Sequence, residues 1–211
     1  MKIISTNIGN PTTVTWKEKE VTTGIFKYPV AQPIFLEATD VKDDHVIDRK
    51  HHGGIYKACY LYGANHYPHW KALYPELDWN WGMFGENMTV DACDEENTFI
   101  GSIYQVGSAK VQVAQPRQPC FKLGIRFNDQ EVLKHFINDT RSGIYFKILE
   151  PGEVREGDEF RLVEADSTGI TVAQIFQMLF RKLSDRQVIE KAVEHQALPA
   201  GLREYIAGLV D

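Results

Sequence analysis

The amino-acid sequence predicts an α+β fold that is mainly β: a mixed β-barrel with helical insertions, followed by a small three-helix appendage. Three observations predict this class. Short β-type runs alternate with turn residues from the start of the chain to about Val163. Helical patterns interrupt these runs near residues 63–73 and 129–138. After Ser167, apolar residues recur at helical spacing.

The β-type runs are short and unevenly spaced, which favours a mixed barrel over a regular sandwich. No alternation of strands and helices indicates a doubly wound parallel sheet. Residues 154–162 are typical of a turn followed by the strand that ends the β-rich part. The predicted strands cover residues 2–5, 24–26, 58–62, 87–90, 110–114 and 145–149.

The last part of the chain is expected to form three short helices. Ser184 and Gln187 have the spacing of a capping box, and residues 198–201 are typical of a break between two helices. We therefore predict two domains, a β-rich domain over residues 1–166 and a helical domain over residues 167–211.

Composition and charge narrow the classes of function. The 211 residues carry a formal net charge of -6, so binding to a nucleic acid polymer through its phosphates is not expected. The sequence holds no run of 18 apolar residues and no signal-peptide core, which predicts a cytoplasmic protein that does not act at a membrane. Its 3 cysteines are scattered and odd in number, which argues against a disulfide framework. They include no C-x-x-C pair, and a proline separates His66 from His69, which argues against a structural zinc site.

The first unusual segment covers residues 48–57 and contains two adjacent glycines, Gly53 and Gly54. Paired glycines allow positive φ and close backbone approach, so their N–H groups, with Arg49 and Lys57 nearby, are suited to holding an anion. The alternative is a turn that leads into a strand, with no ligand at all.

The second segment, residues 82–90, has glycines on both sides of an aromatic residue and places Glu86 and Asn87 just before a predicted strand. The amide of Asn87 both donates and accepts hydrogen bonds, as recognition of a heterocycle or a phosphate requires. The alternative is a local turn in which Glu86 accepts hydrogen bonds from backbone N–H groups.

The third segment, residues 113–123, has two prolines three residues apart that hold the backbone extended ahead of Cys120. Arg117 and Lys122 lie close in sequence, and nearby cations favour the thiolate, the form of cysteine that binds metals and attacks electrophiles. The alternative is a buried, inert cysteine in a proline-rich loop.

Taken in this order, residues 48–54, 85–87 and 115–123 resemble the MOSC domain family, which is named after the C-terminal domain of molybdenum cofactor sulfurases. The closer resemblance is to the bacterial 6-N-hydroxylaminopurine-resistance subgroup, in which a short three-helix domain follows the MOSC domain. The resemblance spans nearly the whole chain, and its most specific element is the Pro-Arg-x-Pro-Cys segment that ends at Cys120.

The resemblance implies a MOSC-type β-barrel that binds the molybdenum cofactor, in its molybdopterin form, with the thiolate of Cys120 as the ligand to the metal. Soft thiolates suit such a centre. Pyridoxal phosphate binding is not expected. By the same likeness, Asn87 and Arg117 would hold the pterin or its phosphate. The other cofactor-binding residues would be His51, Gly53, Gly54 and Lys57, with His52 beside them.

The resemblance further implies an enzyme that reduces N-hydroxylated compounds, such as N-hydroxylated purines, to amines, which is a detoxifying reaction. Cleaving an N–OH bond needs two electrons and two protons, and His51, His52 or Asp48 is expected to supply a proton. Cys120, His52 and Asp48 therefore form the predicted catalytic set. Because the sequence has no flavin or iron–sulfur motif, a separate electron-donor reductase is expected as a partner.

Two other classes of function fit the same sequence. The chain would act as a sulfur or cofactor carrier if Cys120 holds a persulfide and passes it on without turning over a substrate. It would act as a binding module if the helical appendage docks a partner or a second copy of the chain, forming a homodimer.

Overall fold

The computed structural model of the chain describes residues 1–180, 182–183 and 185–209, and for Lys50 and His51 it describes the backbone alone. The strands are β1 Ile3–Gly9, β2 Thr12–Trp16, β3 Lys19–Thr23, β4 Lys27–Pro29, β5 Ile34–Leu36, β6 Cys59–Gly63, β7 Met88–Val90, β8 Ile103–Val106, β9 Ala109–Pro116, β10 Ile144–Glu150, β11 Gly152–Val154 and β12 Arg161–Glu164. The helices are α1 Arg49–His52, α2 Tyr67–Leu73, α3 Phe121–Phe127, α4 Val132–Ile137, α5 Val172–Leu179, α6 Arg186–Glu194 and α7 Ala200–Ala207.

One eight-stranded sheet forms the body of the protein, with the strand order β12-β8-β9-β10-β6-β7-β1-β4. Its neighbours are antiparallel except for β6 and β7, which pair in parallel from Leu61↔Met88 to Gly63↔Val90. A parallel pair needs a crossover connection, and a 3-10 turn at Ala64–His66 followed by α2 supplies it. The sheet therefore contains one β-α-β unit that the sequence pattern did not indicate.

The prediction of a mainly β, α+β fold is confirmed, and the sheet is curled but open. Its strand order ends at β12 and β4, so no complete barrel closes among the residues that the structure describes. The start of β1 nevertheless bonds to the segment just before β12, through Ile3 N to Asp158 O at 2.8 Å and Phe160 N to Met1 O at 2.9 Å. These bonds bring the start of the chain beside the segment before β12, but they do not pair β1 with β12 as neighbouring strands.

The strand predicted over residues 24–26 is wrong, because these residues form a bend and irregular chain between β3 and β4. A hairpin of β2 and β3 was not predicted. Its turn residues Lys17 and Glu18 have φ values of 48° and 63°, although Asn and Gly are the usual residues in such a turn. The hairpin was missed because it lacks that signal and because its strands are rich in polar residues.

The interior has two apolar clusters. One fills the inner face of the sheet, and the other is aromatic, with Phe84 stacked on Tyr62 at a centroid distance of 4.1 Å. Trp70 and Phe84 are fully buried in the aromatic cluster. The segments after β6 and β9 contribute side chains to this cluster, among them Trp70 and Leu123.

Three helices follow the β-rich part, as the apolar spacing predicted. A capping box of Thr171 and Gln174 begins α5, and the carboxylate of Asp185 caps α6, accepting from Gln187 N at 3.0 Å. The predicted capping box with Ser184 lies outside the described residues. Because α5 packs on β9 and joins both apolar clusters, the division at residue 166 stays a prediction.

Among the residues that the structure describes, no helix is both long enough and apolar enough to cross a lipid bilayer.

Candidate functional site

A cleft opens on one side of the sheet, and it brings together residues from all three unusual segments. The turn before β4, the loop before α1, the start of β6 and the loop between β9 and α3 form its walls. The lining residues are Thr23, Gly24, Ile25, Lys27, Asp44, His45, Val46, Ile47, Asp48, His52, Lys57, Ala58, Tyr60, Gly85, Asn87, Arg117, Cys120, Lys122 and Tyr145.

Six of the predicted site residues meet in this cleft. They are Asp48, His52, Lys57, Asn87, Arg117 and Cys120. Gly53 and Gly54 do not line it, and the side chain of His51 lies outside the described part of the structure. The individual roles assigned to these residues from the sequence stay predictions.

Cys120 is half-buried on the wall of the cleft, whereas Cys59 and Cys93 are 1% and 2% exposed. It occupies the residue before α3 in an extended conformation, and its carbonyl oxygen accepts a hydrogen bond from Leu123 N at 2.8 Å. Burial raises the pKa of the Cys59 thiol to about 12 and that of Cys93 well above its ordinary value. Cys120 is thus the thiol placed to meet a ligand.

Arg117 is a buried cation, 5% exposed, that borders the cleft. Its Nη1 donates to the main-chain oxygen of Phe84, and its guanidinium lies over the ring of Tyr60 at 5.0 Å. This anchoring fixes a positive charge beside Cys120 on the wall of the cleft.

The turn that holds Arg117 is organised by Glu86, which is fully buried. Its carboxylate accepts hydrogen bonds from Gly82 N at 2.9 Å, Phe84 N at 3.0 Å and Tyr67 Oη at 2.5 Å. Gly85 has φ of 74°, a conformation that favours glycine. Glu86 therefore has the local turn role that the sequence left open as the alternative.

Asn87 belongs to a polar wall that the sequence did not reveal. Its Nδ2 donates to Asp44 Oδ2 at 3.0 Å, and its Oδ1 accepts from Tyr60 N at 3.3 Å. Asp44 also accepts from Gly9 N at 2.9 Å and forms an ion pair with Lys27, whose side chain is 8% exposed against 2% for Asp44. Lys27 and Asp44 are the principal site residues that motif reasoning missed.

The first segment forms helix α1 and a turn rather than a flat glycine cradle. Gly54 has φ of 95°, and its oxygen accepts from Lys57 N at 2.9 Å. Arg49, expected beside the anion, instead pairs with Asp40 at 2.5 Å and is not among the residues that line the cleft. Its side chain is 53% exposed, so solvent rather than the cleft surrounds it.

Asp48, just before α1, and His52, at its last position, are both electrostatically coupled to the third segment. Lys122 Nζ lies 3.3 Å from Asp48 Oδ2. Burial, together with the charges of Lys122 and Arg117, lowers the pKa of His52 to about 4. Burial also lowers the pKa of Lys57, while Cys120 opposes that shift.

The charges in the cleft differ from those of the whole chain. The lining contains 4 cationic side chains, those of Lys27, Lys57, Arg117 and Lys122, and 2 carboxylates, those of Asp44 and Asp48. Histidines aside, this is an excess of two positive charges with Cys120 as a thiol and of one with Cys120 as a thiolate. The whole protein has a net charge of -6. An anionic ligand is therefore favoured in the cleft.

The chain belongs to the MOSC domain family: residues 48–161 match the family model of the MOSC domain. The matched range contains Cys120, Asn87 and α1. The family and the fold thus agree with the resemblance seen in the sequence.

Particular relatives are similar to this chain over most of its length. It is 34% identical over 201 residues to the uncharacterized protein YflK of Bacillus subtilis, covering 95% of this chain and 90% of YflK. It is 38% identical over 149 residues to a protein of Gibberella moniliformis named reductase, covering 69% of this chain but only 26% of that protein. The crystal structure of YiiM from Geobacillus stearothermophilus superposes with a TM-score of 0.82 and 30% identity, covering 100% of this chain and 99% of that one.

Proposed function

We propose that the protein is an oxidoreductase that binds the molybdenum cofactor through Cys120 and reduces N-hydroxylated compounds, such as N-hydroxylated purines, to amines. The observation that carries the proposal is the position of Cys120, a half-buried thiol on the wall of a cleft with an excess of cations. Membership of the MOSC family and the relative named reductase support redox chemistry.

The residues of the cleft fit a phosphorylated pterin cofactor. A thiolate is a soft ligand suited to the metal, and the cations Arg117, Lys57 and Lys122 suit a phosphate group. Asn87 is already bonded to Asp44, so its contribution is to hold that wall rather than to bind the cofactor with a free amide. When bound, the cofactor would supply the two-electron chemistry.

Reduction of an N-hydroxylated amine, R–NHOH, consumes two electrons and two protons and gives R–NH2 and water. The protein must therefore hold a proton near the substrate. At neutral pH, His52 is neutral, because its pKa is lowered to about 4. An anion in the cleft offsets the charges of Lys122 and Arg117, which raises the pKa of His52 and lets it carry a proton once the ligand is bound.

Asp48 has a different part in this scheme. Its carboxylate lies 3.3 Å from Lys122 Nζ, and its charge opposes the lowering of the His52 pKa. We assign the proton to His52 and the orientation of Lys122 to Asp48. Electrons come from a separate donor protein, since the sequence contains no flavin or iron–sulfur motif.

The test uses full-length protein made in a host that synthesises the cofactor. Wild type is expected to contain molybdenum and to reduce 6-N-hydroxylaminopurine in the presence of a chemical reductant. Cys120→Ser is expected to lose both, while Cys59→Ser, which alters a buried thiol of the sheet, is expected to retain both. Background molybdenum in wild type, or full activity in Cys120→Ser, would refute the proposal.

The position of Cys120 also favours a second candidate, a carrier that holds a persulfide on this thiol. Neighbouring cations stabilise a persulfide anion as they stabilise a thiolate. After treatment with a cysteine desulfurase and cysteine, mass spectrometry of peptides would show added sulfur on Cys120 under this candidate. Unmodified Cys120 would exclude it.

A further inference from the structure

A second cluster of metal-binding side chains lies outside the cleft. His66, Cys93 and Glu95 each place one ligand atom so that the three atoms lie within 4.8 Å of one another. None of the three lines the cleft described above. His66 ends the 3-10 turn after β6, and the other two follow β7, so the β-α-β crossover brings them together.

The three side chains are removed from solvent, with exposures of 6% for His66, 2% for Cys93 and 4% for Glu95. Groups of this polarity are costly to bury unless they are paired or bind a metal. His66 Nε2 lies 3.0 Å and 3.1 Å from the two carboxylate oxygens of Glu95. The nitrogen and oxygen donors thus face each other at hydrogen-bonding distance, a few tenths of an ångström short of the separation of about 3.3 Å that two tetrahedral zinc ligands adopt.

Neighbouring groups hold the donors in place, as the surroundings of metal ligands commonly do. The side-chain amide of Asn65 makes two hydrogen bonds to the main chain of Cys93. Asn65 Nδ2 donates to Cys93 O at 3.0 Å, and Cys93 N donates to Asn65 Oδ1 at 3.0 Å. Gly143 N donates to Glu95 Oε1 at 2.8 Å. The cluster thus ties the ends of β6 and β7 to the residue before β10.

We propose that His66, Cys93 and Glu95 form a binding site for a divalent transition-metal ion, with Zn²⁺ as the best match. One imidazole, one thiolate and one carboxylate are the nitrogen, sulfur and oxygen ligands that Zn²⁺ accepts, and water completes four-fold coordination. Binding releases the thiol proton of Cys93 to solvent, and Nε2 of His66 then turns its lone pair to the ion. The two anionic ligands then balance the charge of the ion in the buried site.

The sequence argued against zinc because it has no C-x-x-C pair, and the structure shows why spacing was a poor guide here. The ligands come from two strand ends that are neighbours only because β6 and β7 pair in parallel. The site does not depend on Cys120, so its test is independent of the proposed reductase function. Its expected role is structural: the ion would join the segment after β6 to the segment after β7.

The test is metal binding to the full-length protein after dialysis against a chelator. Titration with Zn²⁺ alone is expected to give about one bound ion in wild type and to raise Tm. Cys120→Ser and Cys59→Ser, which remove the other two thiols one at a time, are expected to bind equally well. Cys93→Ser and His66→Asn are expected to weaken binding by at least tenfold.

Titration of wild type with Co²⁺ keeps the test valid even if a variant folds poorly. Thiolate coordination is expected to give a near-ultraviolet absorption band that Cys120→Ser retains. Absence of bound Zn²⁺ in wild type, or loss of binding in Cys120→Ser but not in Cys93→Ser, would show that the cluster is only a hydrogen-bonded network.

Discussion

Arg117 and Phe84 are tied by a hydrogen bond from Nη1 of the guanidinium to the main-chain oxygen of Phe84, and this bond fixes a buried charge at the edge of the cleft. Phe84 is itself fully buried in the aromatic cluster. This one hydrogen bond therefore connects the wall of the cleft to the aromatic cluster. Changes at Arg117 must affect both ligand binding and folding.

Arg117→Ala is expected to lower the free energy of unfolding by about 2–4 kcal/mol, because it leaves the Phe84 oxygen unpaired and removes the packing over Tyr60. Arg117→Lys keeps the charge but not the planar group, so a loss of about 1–2 kcal/mol is expected. Urea denaturation measures both. Arg155→Ala, at an exposed position, is the control, and equal losses for Ala at 117 and 155 would contradict the anchoring role.

The buried pair of Lys27 and Asp44 gives a second prediction. Asp44→Asn is nearly isosteric but leaves Lys27 without its counter-charge, so a loss of about 3–5 kcal/mol is expected. Adding Lys27→Met removes the uncompensated charge and is expected to recover about half of that loss. A double-mutant cycle by denaturation measures the coupling, and strictly additive effects would show that the two side chains do not depend on each other.

The strands of the central sheet were predicted well, for a physical reason. The predicted strands at residues 58–62, 87–90, 110–114 and 145–149 overlap β6, β7, β9 and β10. Buried strands are short runs of apolar residues with turn residues at their ends, and this local pattern is visible in the sequence. The chain before Cys120 is extended as predicted, since β9 runs to Pro116 and Cys120 itself is extended, but helix α3, which begins at the next residue, was not predicted. Its seven residues are too few, and too broken by Gly124, to give a clear helical pattern in the sequence.

The polar wall of the cleft was not predictable in the same way. Lys27 pairs with Asp44 across 17 residues, and Asp44 bonds to Asn87 across 43 residues. No local pattern records such distant contacts. Cys120 was found because its proline-rich surroundings are themselves a local signal, and the same holds for the glycines around Glu86.

The three thiols are expected to react very differently in the native protein. Cys120 is half-buried on the cleft, whereas Cys59 and Cys93 are inaccessible and their pKa values are raised by burial. Brief treatment with iodoacetamide near pH 8 should modify Cys120 at least tenfold faster than the other two. Peptide mass spectrometry measures each site, with protein in denaturant as the control in which all three react. Comparable native labelling of Cys59 would contradict the structure.

The depressed pKa of His52 predicts a specific dependence of stability on pH. The unfolded chain binds this proton with a pKa near 6.5, but the folded protein does so only near 4. Between these values the unfolded state holds more protons, so the His52 contribution to stability is full above pH 6.5 and is lost as the pH falls toward about 4. His52→Gln should therefore lose less stability than wild type over that window. Urea denaturation of both proteins at several pH values from 4 to 7 measures the difference, and identical pH dependence would contradict the assignment to His52.

Burial is the largest cause of the lowered His52 pKa, and the charges of Lys122 and Arg117 add to it, so an anion in the cleft should reduce the shift. Inorganic phosphate in the cleft offsets these charges, so the pKa of His52 is expected to rise toward 6.5 when phosphate is added. Proton NMR titration of the imidazole, with and without phosphate, measures this directly. The Lys122→Met variant should begin with a higher His52 pKa and respond less to phosphate. If phosphate leaves the His52 pKa of wild type unchanged, then Lys122 and Arg117 do not bind phosphate close to His52, and the prediction is wrong.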